Sequence, residues 1–153
     1  MIGLLLSILI FNIIAFKTNK RLSVNQIIHI WTFTIAFQTT FDIIIEDKYQ
    51  SYWYFKQNSE WRDLPAYLLV IPPVNMMFIN WFPQKSSILK QLHYVIIWEL
   101  FLLGYELLTL LPEPFGYFTY GWWHIWVSAF LNPLLLGVLL VFYRWIVKVE
   151  NSV

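Results

Sequence analysis

Residues 88–111 read ILKQLHYVIIWELFLLGYELLTLL, with one base, Lys90, near the start and two acids, Glu99 and Glu106, well inside. A bilayer needs about 20 predominantly apolar residues per crossing helix, because a backbone polar group left unpaired in hydrocarbon costs several kcal/mol. Length and apolarity make this stretch a membrane helix, and its carboxylates make it an unusual one. A charge at mid-bilayer costs at least about 2.5–3.5 kcal/mol, so an acid there faces the bundle interior or a wet cavity. Glu99 falls at the centre of the stretch. Glu106, seven residues on, lies about 10 Å along the axis and only about 20° round it, so both acids share one face.

Working outward, four more stretches approach or exceed the same length: 1–16, 22–45, 64–82 and 122–147. The five together predict an all-α integral membrane bundle, one domain over 1–153, with loops too short for a second. The first stretch is the shortest. A signal peptide carries positive charge before its apolar run and a small-residue cleavage site after it. Here Lys17, Lys20 and Arg21 follow the run instead, so it reads as a retained anchor.

Composition points the same way. The chain is 59% hydrophobic, 20% aromatic and 12% charged, with a mean hydropathy of +0.58. A soluble domain carries about 25% charged residues, roughly twice what is available here to coat a surface. That excludes a soluble globular domain and a disordered tail. A net charge of +1 lacks the surplus of a nucleic-acid binder. Zero cysteines exclude a disulfide framework, a thiolate metal site and a cysteine nucleophile.

Local signals mark the boundaries. Ser23 and Gln26 fit a capping box opening the second helix. Asp63 with Pro65 fits the start of the third, and Pro112 and Pro114 stop the fourth. Pro72-Pro73 should kink the third span and free backbone carbonyls, and Pro133 should do the same in the fifth. Loop bases set orientation. Lys17, Lys20, Arg21, Lys85, Lys90, Arg144 and Lys148 fall on one side, and Lys48, Lys56 and Arg62 on the other. The expectation is an amino terminus outside and a carboxyl terminus in the cytoplasm, in the cell membrane.

A rise of about 1.5 Å per residue sorts the polar side chains by depth. Asp42, Glu106 and His124 share the outer half; Gln38, Asn75 and Asn132 lie near the level of Glu99; His29, Asn80 and His93 lie in the inner half. Asp42, Glu99, Glu106 and His124 are the candidate intramembrane polar site. The remaining six are secondary candidates, whose ordinary role is interhelical hydrogen bonding. There is no H-E-x-x-H and no paired-histidine spacing, and the acids stand seven apart, so no metal site and no cofactor are expected. Ser128, one turn beyond His124, reads as packing. The 46–62 loop, EDKYQSYWYFKQNSEWR, and the 112–123 stretch supply a dense aromatic belt at the outer interface. A narrower reading makes that belt a rim admitting an apolar or lipid-like ligand toward Glu106 and His124.

The run YWYF (Tyr52–Phe55), the motif NWFP (Asn80–Pro83), Glu106 and WHIWVS (Trp123–Ser128) resemble an uncharacterised family of small, aromatic-rich multi-pass membrane proteins from endospore-forming Gram-positive bacteria. The similarity covers roughly 42–144. It implies topology and bacterial origin and brings no activity with it. His124 departs from the lysine carried by that family, which puts a cationic role there in doubt. Three functions stay open. The leading one is a non-enzymatic membrane component or interaction subunit, partnered by the lipid bilayer, a second copy or another membrane protein, with no nucleic acid. The alternatives are proton- or small-solute-coupled transport along the carboxylates, and a lipid-modifying enzyme using Glu99 or Glu106 with His124 as acid and base.

Overall fold

A computed structural model describes residues 1–57 and 61–152; the side chains of Thr39, Asp42, Ile43 and Asp47 lie outside that description. Most of the chain is helical: α1 (Ile2–Thr18), α2 (Val24–Asp42), α3 (Leu64–Leu69), α4 (Ile71–Trp81), α5 (Ile88–Thr109) and α6 (Ile125–Glu150). Three helical stretches are long and apolar enough to cross a membrane: Leu64–Trp81, which joins α3 and α4, then α5 and α6. α1 is a shorter apolar helix of 17 residues, and α2 has 19 residues diluted by Asn25, Gln26, His29 and Gln38.

The α3–α4 stretch is the buried axis. α1, α2 and α6 all pack on α4, and Met76, Phe78 and Ile79 have no exposed surface. On α5 and α6 the exposed positions are themselves apolar, among them Ile96, Ile97, Leu100, Leu134 and Val141. A helix in water shows its polar face outward, so this inversion fits a lipid surround.

Pro72-Pro73 interrupts the axis as its chemistry requires. A proline has no N–H to give the carbonyl four residues back, so Pro73 leaves the Leu69 carbonyl open, and the helix breaks at Val70. Asn12 of α1 fills the gap: its Nδ2 donates to the Leu69 carbonyl at 2.8 Å. Pro133 behaves otherwise. α6 runs through it without a break, a correction to the expected parallel. One proline removes a single helical bond, where two in succession remove two.

One end of the bundle is held by polar side chains. Ser23 Oγ accepts the Gln26 N–H at 3.1 Å and Gln26 Oε1 accepts the Ser23 N–H at 3.4 Å, both halves of a capping box. Asn25 and Gln26 each donate to the Glu150 carboxylate at 2.6 Å, which ties the end of α6 to the start of α2. A carboxylate is favourable at a helix N-terminus. Asn80 donates to the Thr18 carbonyl at 2.9 Å and accepts the Lys20 N–H at 3.3 Å, while Arg21 donates to the Phe82 carbonyl at 2.7 Å and closes α4. The stretches carrying Lys17, Lys20, Arg21, Lys85 and Lys148 thus share this end, hereafter the basic end.

The other end adds a feature that the helical reading of the sequence did not contain. α2 is followed by a π-helical turn over Ile43–Lys48, and two short strands form, β1 (Tyr52–Tyr54) and β2 (Phe118–Tyr120). They pair antiparallel, Tyr52 opposite Tyr120 and Tyr54 opposite Phe118. Aromatic residues favour strands, and the two expected loops are in fact one aromatic ribbon. The Ser51 carbonyl extends the pairing by accepting the Gly121 N–H at 2.8 Å and the Trp123 N–H at 2.9 Å. Gly121 is required there, since a Cβ would sit 2.3 Å from the Gln50 carbonyl oxygen. Glu46, the first residue of the expected 46–62 loop, is buried and accepts the Tyr67 hydroxyl at 2.5 Å. The helix bounds shift accordingly: α6 starts at Ile125 and ends at Glu150, three residues later at both ends than 122–147.

Candidate functional site

A cavity of about 240 Å³ opens between α2, the α3–α4 stretch, α5, α6 and the ribbon. Its walls are mainly aromatic and aliphatic. α2 contributes Phe33, Phe37 and Phe41; the ribbon contributes Tyr52, Tyr54 and Phe118; α6 contributes Leu131 and Leu135. Among the described residues that line it there is no lysine, arginine or histidine.

Glu106, in the last turns of α5, stands at the ribbon end of this cavity. Three elements converge on it. The Tyr120 hydroxyl from β2 donates to Glu106 Oε1, and Ser128 Oγ, in the first turn of α6, donates to the same oxygen at 2.7 Å. Trp123 Nε1 donates to Ser128 Oγ at 2.8 Å. That donation leaves the serine proton for Glu106, so the direction of the relay is fixed. Both donors use Oε1, and Glu106 lines the cavity. Burial, and then the bond to Glu106, raise the Tyr120 phenol above its ordinary pKa; burial and neighbouring Tyr105 do the same for Tyr117. Tyr120 is therefore held as a neutral donor.

A second carboxyl group follows one turn along α6. Asn132 Nδ2 donates to Glu99 Oε1 at 3.2 Å, and Asn132 lines the cavity with Glu99 behind it. Glu99 is 8% exposed, and its Oε2 has no hydrogen-bond partner among the described residues. The seven-residue spacing of the acids on α5 is met by the four-residue spacing of Ser128 and Asn132 on α6, so both carboxyl groups turn toward one helix. Across the cavity Asn75 Nδ2 donates to Thr34 Oγ1 at 3.1 Å, and Gln38 joins the same lining.

Other sequence candidates fall elsewhere. Of the expected trio of Asp42, Glu106 and His124, Glu106 lines the cavity and His124 does not. The Asp42 side chain lies outside the described residues. His124 is exposed, caps α6 with its backbone carbonyl (to the Val127 N–H, 2.8 Å), and does not line the cavity. The physical reason is that His124 is extended, with φ −141 and ψ 154, so helical depth and facing rules do not apply to it. An acid–base pair of Glu106 with His124 has no support in this geometry. Asn80 is buried in the basic end and braces the α1–α2 turn. His29 sits beside Glu150 in a separate shallow hollow at that end, and His93 is exposed on α5. Among the described residues no three His, Asp or Glu side chains gather closely enough to share a metal ion.

Sequence reasoning missed Tyr120 and Trp123 as site residues and assigned Ser128 to packing. The readable signal was the pair Ser128 and Asn132, four apart on one helix, which matches acids seven apart on its antiparallel neighbour. Comparison with protein families, with curated proteins and with solved structures finds no match to the chain.

Proposed function

We propose that this chain is a five-span protein of the cell membrane, amino terminus outside, that acts as a non-enzymatic binding component. Its intramembrane cavity takes a small, largely apolar ligand whose polar group meets Glu106. One observation carries the reading: Glu106, fixed through Oε1 by Tyr120 and Ser128, lines a cavity walled mainly by aromatic and aliphatic side chains. Ligand sites are mostly apolar concavities with a few placed polar groups. α1 and α2 complete the count of spans, since 17 and 19 residues reach about 26 and 29 Å against a hydrocarbon core of about 30 Å. The clustering of bases at one end supports that end as cytoplasmic.

Two measurements test this. Single cysteines replacing Lys56, Lys85 and Ser152 should label from outside intact cells at 56 only; labelling at 85 would overturn the orientation. A small aryl diazirine, photolysed in membranes and mapped by mass spectrometry, should mark cavity residues such as Phe41, Tyr54 and Leu135. Those adducts should vanish in Leu131→Trp, which fills the cavity. Adducts confined to outward positions such as Leu100 and Val141 would end the binding reading.

Transport remains the second reading, favoured by one observation: Glu106 and Glu99 meet α6 one turn apart, at Ser128 and Asn132, which both line the cavity. Proton-coupled flux in proteoliposomes that is unchanged by Glu99→Gln and Glu106→Gln together would remove it.

A further inference from the structure

We infer that the ribbon end of the cavity is a site for a small organic cation, an amphipathic ammonium whose charged head lies between Glu106 and an aromatic wall. The inference rests on the cavity being a ligand site and adds the ligand's chemical class.

The walls come first. Tyr52 stands edge-on to Tyr54 and to Trp123, with ring centroids 6.2 and 5.1 Å apart and interplanar angles of 87° and 85°. Phe118 lies 5.1 Å from Tyr52 and 5.2 Å from Tyr54, tilted to each. The four rings pack edge to face and tilted on one another and form one aromatic wall of the cavity. Aromatic faces attract a cation within about 6 Å, and aromatic cages recognise quaternary ammonium groups. All four rings line the same cavity as Glu106.

Charge decides between ligand classes. The site offers an acceptor oxygen and negative ring faces, with no basic side chain among the described lining residues. An anion would meet repulsion from both. A neutral hydrocarbon would fit the walls but would offer no partner to the Glu106 carboxyl group, whose water it would displace at a cost. Among the described residues no three His, Asp or Glu side chains gather to ligate a divalent metal ion. An organic cation needs no such ligand set, because its charge is spread over alkyl groups that the rings can hold. Size narrows the choice further: 240 Å³ is below the about 300–1,000 Å³ of sites for drug-sized ligands, so the head carries only a short apolar body.

The test uses benzyltrimethylammonium and its neutral isostere neopentylbenzene, in which carbon replaces the charged nitrogen. Binding of each to the full chain in detergent is followed by saturation-transfer NMR, with Leu131→Trp as the filled-cavity control. We expect the cation to bind at least about tenfold more tightly than the isostere, and both to be lost in Leu131→Trp. Glu106→Gln keeps an oxygen acceptor for Tyr120 and Ser128, and should bring the two affinities together. Phe118→Leu should weaken the cation severalfold and the isostere little. Equal affinities in the native chain, or cation binding undiminished in Glu106→Gln, would overturn the cation site while leaving the ligand cavity standing. Failure of both probes to bind would overturn the cavity reading as well.

Discussion

The two ends of this bundle treat buried polar groups in opposite ways. At the basic end the groups are closed off. Asn80 uses both its amide nitrogen and its oxygen on the chain between α1 and α2, and each Glu150 oxygen has its own amide donor. At the ribbon end two hydroxyl donors crowd onto one oxygen of Glu106, which lines a cavity. Residue type does not separate the two cases, since both use amides and carboxylates. What separates them is the void beside Glu106. A polar group packed against the chain is a brace, and one beside a void can meet a ligand.

The difference can be broken by substitution. Asn80→Leu has the largest expected effect: it strands the Thr18 carbonyl and the Lys20 N–H, and should lower stability by about 2–6 kcal/mol at about 1–3 kcal/mol per stranded group. Thermal unfolding in detergent measures it, and a loss under about 1 kcal/mol would show that the node is not a brace. Asn12→Leu should cost about 1–3 kcal/mol, because the Leu69 carbonyl loses its donor at the proline break. Gly121→Ala pushes a Cβ against the Gln50 carbonyl and should cost about 1–2 kcal/mol as the strands part. Hydrogen exchange should then quicken at the Phe55 and Gly121 amides and stay unchanged at Ser23 and Gln26; faster exchange at both ends would mean they are not independent. Glu106→Gln should cost under about 1 kcal/mol, since its amide oxygen still accepts both hydroxyls. If it destabilises as much as Asn80→Leu, Glu106 is a brace too.

The smallest effect concerns pH. Tyr117 and Tyr120 have phenol pKa values raised by burial, so the folded state holds those protons longer than the unfolded state. Their contribution is complete below the ordinary tyrosine pKa of about 10 and is lost as pH climbs from there toward the raised values. Unfolding followed between pH 6 and 9 should show no slope from these groups. A slope in that range that disappears in Tyr120→Phe would contradict the assignment.

Much of this was legible in the sequence where the physics is local. The capping box of Ser23 and Gln26, the break at Pro72-Pro73 and the shared face of Glu99 and Glu106 each depend on residues within a few positions of one another. The ribbon was not legible, because β1 and β2 are more than sixty residues apart and each strand is only three residues long. His124 was misplaced because a residue that ends an extended segment looks, in an apolar run, like one more turn of helix. Asn12 gave no warning alone. Its role appears only when α1 is laid beside the prolines of another span.

The ribbon also has a consequence for how the protein is made. Its first strand leaves the ribosome before its partner, which follows only after α3, α4 and α5 have been synthesised. Until Gly121 and Trp123 are in place the Ser51 carbonyl lacks its donors, and until Ser128 follows Glu106 lacks one of its own. The pocket is thus completed only when α6 begins to emerge, long after its first strand was made.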